Sequence, residues 1–302
     1  MSDMNGDVDA VLLTALDLEY SAIRAHLINI RTQVHPIGTH FETGTVPGTS
    51  TRVAIAAAGE GNRAAAVLVE RANALFRPNI ALFIGIAGAL HTDIELGDVV
   101  VATRVYGYHG GKAEPGEFLT RPRAWDSPHE LLQHARYLSR TRWWCHFSPH
   151  PADHPPYSIH FRPIAAGDVV LDTPTGPLVD LIRRHYNDVA AIEMESAGAA
   201  EAAHLNGPLP LLTIRGISDR ADGQKEVTDA SGSQQLASAH AAEFALALLT
   251  RFGNAGQPGK PKQPPASDRI SIGVGGDISG QLVIGTGNQV TWSRPPPDRP
   301  ET

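Results

Sequence analysis

The chain has 302 residues, a formal net charge of −7 and a single cysteine, Cys145. That length accommodates one large α/β domain with an appendage. The charge argues against bulk binding to a phosphate backbone, the lone cysteine excludes an intramolecular disulfide or a multi-cysteine zinc site, and no apolar run is long enough to span a bilayer. The first nine residues are polar and acidic, without the basic and apolar regions of a secretory signal, so the expected compartment is the cytoplasm.

In chain order, Ala10–Leu13 is a short apolar run, the pattern of a buried strand. A turn through Ala15–Asp17 leads into a helix from about Glu19. Val53–Ala58 is a second strand, ended by Gly59-Glu60-Gly61-Asn62, and a helix follows from Arg63 to Phe76, stopped before Pro78. Ile80–Ile86 runs into Gly85-Ile86-Ala87-Gly88, and the Val-rich Asp98–Val105 is a fourth strand. Between Ala113 and His160 the chain turns rich in Pro, Arg, His and Trp. A helix over Pro128–Arg140 is expected there, within an otherwise irregular insertion. The regular pattern resumes at Phe161–Ala166, passes through helix, strand, helix and strand to Gly216, and ends in a helix from about Ser233 to Arg251.

Apolar strands alternating with helices, with glycines at the strand ends, predict a three-layer α/β fold around a mixed, largely parallel central sheet. Four segments are expected: a catalytic domain over 8–252, a Pro/Gly linker over 253–268, a short Gly-rich β segment over 269–293, and a disordered tail over 294–302. Ligands of such sheets lie beyond the carboxyl ends of the strands. Three acidic motifs fall there: Thr14-Ala15-Leu16-Asp17-Leu18-Glu19, Ala191-Ile192-Glu193-Met194-Glu195-Ser196 and Thr213-Ile214-Arg215-Gly216-Ile217-Ser218-Asp219. Each alone has a plain reading, as a dipole-favoured helix-start carboxylate or an N-cap. Their conjunction, in order, at strand ends, points to one crevice.

These motifs, with Gly85-Ile86-Ala87-Gly88 and Gly97-Asp98-Val99-Val100, resemble the nucleoside phosphorylase superfamily, and within it the methylthioadenosine/S-adenosylhomocysteine nucleosidases. The resemblance covers about Val8 to Phe252. It implies cleavage of the bond between a purine, adenine above all, and ribose. Glu19 matches the general base for the attacking water, and Arg215 an arginine near the acidic cluster. Met194 and Glu195 match the residues that hold the ribose. Asp219, with Ser218 beside it, matches the acid that protonates N7. The chemistry parallels glycoside hydrolysis, with one acid on the leaving group and one base on water. Asp219 must hold a proton when substrate is bound, and Glu19 must be ionised. No metal or organic cofactor is implied. A homo-oligomer, at least a dimer, is.

Three positions depart from that pattern. Ile86 stands where a serine is common, which weakens phosphorolysis more than hydrolysis because phosphate needs several donors. Val170 stands where an aromatic stacks on the purine. Glu60 stands where a small apolar residue lines the pocket for the 5′ substituent, which makes a polar 5′ group an alternative, with Lys112 and Arg104 as candidate phosphate contacts. The expected function is therefore hydrolysis of an adenine nucleoside or nucleotide. A phosphorylase and a non-catalytic nucleotide-sensing module remain as alternatives. The 269–293 segment resembles Gly-rich segments that accompany bacterial signalling and defence proteins, where it would dock a protein partner and the domain would deplete nucleotides as an effector. His146, His150, His154 and His160 match no standard zinc spacing, and Gly59-Glu60-Gly61-Asn62 lacks the lysine of a phosphate-binding loop and the spacing of a dinucleotide turn.

Overall fold

The computed structural model describes residues 8–147, 157–207 and 209–254. Of the expected linker, residues 253 and 254 are described and close the last helix; the rest of it, the 269–293 segment and the tail lie outside the described residues. Among the described residues the strands are β1 (Ala10–Thr14), β2 (Ile28–Val34), β3 (His40–Thr45), β4 (Arg52–Ala57), β5 (Ile80–Ala89), β6 (Val99–Gly107), β7 (Gly111–Glu114), β8 (Glu117–Thr120), β9 (Arg123–Asp126), β10 (Ile159–Ala166), β11 (Ala191–Glu193) and β12 (Leu211–Asp219). The helices are α1 (Asp17–Arg24), α2 (Asn62–Phe76), α3 (His129–Thr141), α4 (Pro177–His185), α5 (Ser196–Leu205), α6 (Lys225–Ala230) and α7 (Ser233–Asn254), with a 3₁₀ turn at Trp143–Phe147.

Ten strands form one mixed sheet in the order β11-β10-β6-β12-β5-β1-β4-β3-β2, with β9 on β6. Pairings β4–β1–β5–β12 and β6–β10–β11 run parallel, while β6–β12, β6–β9, β4–β3 and β3–β2 are antiparallel. The path has one further contact: Ala191 and Ile192 of β11 pair antiparallel with Ala89 and Gly88 of β5. Strands β11, β10, β6, β12 and β5 therefore close on themselves, and β11 is carried to the carboxyl end of β5.

Helices cover both faces, which gives three layers. On one face the fully buried Phe244, Leu246, Leu248 and Leu249 of α7 pack with Ile23 of α1 on Leu82, Ile84, Leu212 and Ile214. Burial of each such side chain is worth about 1.5–3 kcal/mol. On the other face Leu68, Val69 and Ala72 of α2 meet Ala199, Ala202 and Ala203 of α5 over Val11, Leu13 and Phe83. The alanines let the two helices come close: a Cβ at Gly198 would fall onto the backbone of Asn62.

Two expectations are corrected. The stretch between the first two expected strands is not only a connection, since β2 and β3 add an antiparallel edge. β2 is exposed and polar-rich and β3 is half-buried, so neither has the continuous apolar run of a buried strand. The 113–160 insertion is more regular than expected. It contributes the β7–β8 hairpin, and β9 pairs along β6. Among the described residues, no helix is long and apolar enough to cross a membrane.

Candidate active site

The carboxyl ends of β1, β5, β11 and β12 open into one cleft, lined by Leu16, Glu19, Glu60, Ile86, Gly88, Val170, Glu193, Met194, Glu195, Ser218, Asp219 and Lys225 among others. All three acidic motifs converge there. Because β5 lies between β1 and β12, Glu19 and Asp219 flank the end of the same strand.

Glu19 sits in the first turn of α1. Its Oε2 accepts the backbone N–H of Ala15 and of Leu16, each at 2.9 Å, and its Oε1 accepts that of Ile86 at 2.8 Å. It is thus both a helix-start carboxylate and a cleft residue. A carboxylate has about four lone-pair sites, so three backbone bonds fix its orientation and leave one site for a ligand. Ile86 reaches the site through its main chain, whose N–H is taken up by Glu19. Burial pushes the Glu19 carboxyl above the ordinary carboxylate range, opposed by Arg215 and the three N–H donors.

Arg215 lies beneath the cleft, its side chain fully buried on β12. Its Nη2 donates to Glu193, to Glu195 Oε2 at 3.4 Å and to Ser196 Oγ at 3.2 Å. Its Nη1 lies 4.0 Å from Glu19 Oε1, and its guanidinium stands over the Phe83 ring at 4.9 Å. Glycine is required at 85, since a Cβ there would collide with Nη1 and Glu19. Burial works against the guanidinium charge, yet Glu193, Glu195 and Glu19 hold it cationic. Three carboxylates share this one cation, and a buried charge is tolerable only when so paired.

Glu193 is the residue whose role the sequence did not reveal. It accepts the N–H of Glu195 at 3.1 Å and of Ser196 at 3.0 Å, and the Ser196 hydroxyl at 2.9 Å. It thereby caps α5 with a negative charge where the helix dipole favours one. Burial pushes its carboxyl up; Arg215 opposes this and Glu195 adds to it.

Glu195 is oriented from across the cleft, where Gly61 donates its N–H to Oε1 at 3.0 Å. Gly61 has φ +97°, which lets this turn point its N–H inward. Asn62 anchors the same turn: its side chain donates to Gly167 O at 3.0 Å and accepts from Gly198 N at 2.8 Å. Glu60 and Val170 both line the rim, and Val170 offers an exposed apolar surface in place of a ring.

Asp219 closes the other side. Its Oδ2 accepts the Ser218 hydroxyl at 2.9 Å and Lys225 Nζ at 3.1 Å, while Oδ1 accepts Ala221 N at 3.0 Å. Lys225 was missed because it stands in a polar loop that resembles ordinary surface. Lys112 is a correction of the opposite kind. It lies exposed on β7, away from the cleft, with Nζ 2.5 Å from Glu114 Oε1. Arg104 pairs with Asp126 at 2.6 Å instead. Among the described residues, no group of three or more His, Cys, Asp or Glu is arranged to hold a metal. His160 is bonded to Asp98 at 2.8 Å.

A closed strand circuit with carboxylates around a buried arginine, in a cleft at the strand ends, defines an α/β protein built to hold a small polar ligand. A family model described as the Phosphorylase superfamily matches residues 9–252, and the chain belongs to that superfamily. Among its relatives, the 5′-methylthioadenosine/S-adenosylhomocysteine nucleosidase of Maridesulfovibrio salexigens is 27% identical over 69% of this chain and 85% of its own. That of Chromohalobacter salexigens is 25% identical over 81% and 97%. The Streptococcus pneumoniae MTA/SAH nucleosidase, solved with 8-aminoadenine, superposes with a TM-score of 0.65 at 25% identity, over 81% of this chain and all of that one. The Helicobacter pylori futalosine hydrolase shares the fold, with a TM-score of 0.65 at 18% identity over 80% and 97%.

Proposed function

We propose that the protein hydrolyses the bond between adenine and ribose in an adenine nucleoside or nucleotide. The observation that carries this reading is the pair of carboxylates flanking the end of β5: Glu19, held by three backbone donors, and Asp219, held beside Ser218. Cleavage of C1′–N9 builds positive charge on the sugar and negative charge on the base. Glu19 takes a proton from water as the water attacks C1′. Asp219 puts a proton on N7 as the base departs. Glu195, fixed by Gly61, holds the ribose hydroxyls and lends negative charge near the cationic ring. Met194 packs beside the sugar, and Val170 offers the base an apolar face.

Water is favoured over phosphate as the acceptor. A phosphate beside Glu19 would meet a carboxylate, and Ile86 brings no side-chain donor. Among the described residues lining the cleft, Lys225 is the only cation, and it is already paired with Asp219. A nucleotide substrate would therefore need cations from a second copy of the chain. The reading includes such a homo-oligomer, in the cytoplasm, and a role as a nucleotide-depleting effector if the substrate proves to be ATP or AMP.

The test is release of free adenine from methylthioadenosine, adenosylhomocysteine, adenosine, AMP and ATP, with and without phosphate. Adenine with a free reducing sugar supports hydrolysis, and the preferred substrate gives the 5′ group. Ribose 1-phosphate esters would replace hydrolysis by phosphorolysis, and binding without turnover would reduce the protein to a sensor.

A further inference from the structure

The contacts on Asp219 set a problem for its role. A carboxylate offers about four acceptor sites, and three are taken by donors: the Ser218 hydroxyl and Lys225 Nζ on Oδ2, Ala221 N on Oδ1. Every one of these bonds uses Asp219 as an acceptor. The proposed reaction needs it to give a proton away, so that proton must come from a donor already bonded to it. Ala221 N–H cannot give one up, and a neutral Ser218 hydroxyl would leave a strongly basic alkoxide. An ammonium group leaves a neutral amine.

We propose that Lys225 supplies the proton that Asp219 passes to the departing base. The inference rests on the hydrolytic reading above and deepens it. The step balances. Lys225 Nζ passes a proton to Asp219 Oδ2 and becomes a neutral amine. The C1′–N9 electron pair goes to the base, whose N7 takes that same proton from Oδ2, which leaves Asp219 ionised again. C1′ receives the hydroxyl of water, and the other water proton goes to Glu19. Solvent then returns a proton to Lys225 and takes one from Glu19. Geometry suits the return: Lys225 opens α6 with 27% of its side chain exposed, so one end touches Asp219 and the other meets water. Lys225 acts through Asp219 and does not touch the substrate.

The charged groups facing Lys225 are Asp219 at 3.1 Å from β12 and Asp229 at 3.7 Å from its own helix. Ser218 and Gln234, from β12 and α7, line the same cleft without charge, and Glu60, Glu193 and Glu195 line it beyond them. Both close partners are carboxylates.

The experiment compares the full chain with Lys225→Met and Lys225→Arg, using the best substrate of the panel above, with kcat and KM measured from pH 5 to 10. Arginine keeps the charge and the contact but does not release a proton in this range. The expected result is a loss of kcat of about 10²-fold in both variants with KM changed less than about threefold. If Lys225 supplies the proton, kcat of the wild type should fall on the alkaline side, and that fall should be absent in both variants. Adenine binding by calorimetry checks that the cleft is intact. If Lys225→Arg restores the wild-type rate, the residue only positions Asp219 and the proton supply is refuted. A Lys225→Met enzyme with the wild-type rate and profile refutes it equally. If the wild type releases no adenine from any substrate, the hydrolytic reading fails first.

Discussion

In the proposed reaction Glu19 and Asp219, both carboxylates in one cleft, have opposite tasks. Asp219→Asn keeps the shape and most of the hydrogen bonds but has no acidic proton to pass on. It should lower kcat by about 10²–10⁴-fold while substrate affinity, measured by calorimetry, changes little. A variant with the wild-type kcat would remove Asp219 from the chemistry. Glu19 acts only when ionised, and burial raises its proton affinity above that of an ordinary carboxylate. Activity should therefore fall on acidification at a pH higher than a free glutamate would give, and a kcat/KM profile between pH 4 and 8 measures this. An acid limb at or below the ordinary glutamate value would mean that the base is another group.

Among the elements, the turn between β4 and α2 carries more of the site than its length suggests. Gly61, with φ +97° and ψ 153°, occupies a backbone region essentially closed to other residues, and an alanine there costs of order 1–3 kcal/mol. Gly61→Ala should lower the urea midpoint accordingly and raise KM, because a turn that relaxes from this conformation no longer aims its N–H at Glu195. An unchanged KM would show that Glu195 needs no such support. The same scale explains what was legible in the sequence. Strands β1, β4, β5, β6 and β12 were readable because their apolar runs are continuous and glycines or acids end them. Strands β2 and β3 were not, since β2 is the exposed edge and β3 beside it is half-buried, and neither position asks for such a run. The three acidic motifs could be placed at strand ends one by one. The bond from Arg215 to Glu193 could not, because it depends on β11 turning back onto β5, a contact between residues 102 and 104 positions apart in sequence. Lys225 follows Asp219 by only six residues, but in a loop of Gly, Asp and Gln nothing marks one lysine as inward-facing.

At the scale of the whole molecule, the buried cluster links proton binding to folding. Burial raises the folded-state proton affinity of Glu19 and Glu193. The stability they contribute is therefore complete below the unfolded carboxylate range and is lost as pH rises through their folded values. Asp98 behaves in the opposite sense. Burial alone would raise it, but the His160 bond and the backbone N–H groups of Ser158 and Glu95 lower it, so its contribution is lost as pH falls. Glu19→Gln mimics the protonated carboxyl and isolates the first effect. Its urea midpoint should gain on the wild type as pH rises above the ordinary carboxylate range, and a gap that does not depend on pH would disprove the linkage. The base is thus active in the protonation state that the fold holds less firmly.

The strands β11, β10, β6, β12 and β5 form a ring without ends. A wall that belongs to such a ring cannot swing outward unless two ladders tear at once, so the floor of the cleft has no hinge. Whatever enters and leaves must pass the segments that belong to no ladder, the loop around Val169–Leu171 and the short α6 with its Lys225. Amide exchange should divide along that line. The floor, at Leu82–Ile86 and Leu212–Ile217, should exchange on the timescale of global unfolding, and the roof many orders of magnitude faster. The tempo of product escape would then be set in a few residues of roof, and evolution could retune it there without touching the carboxylates below.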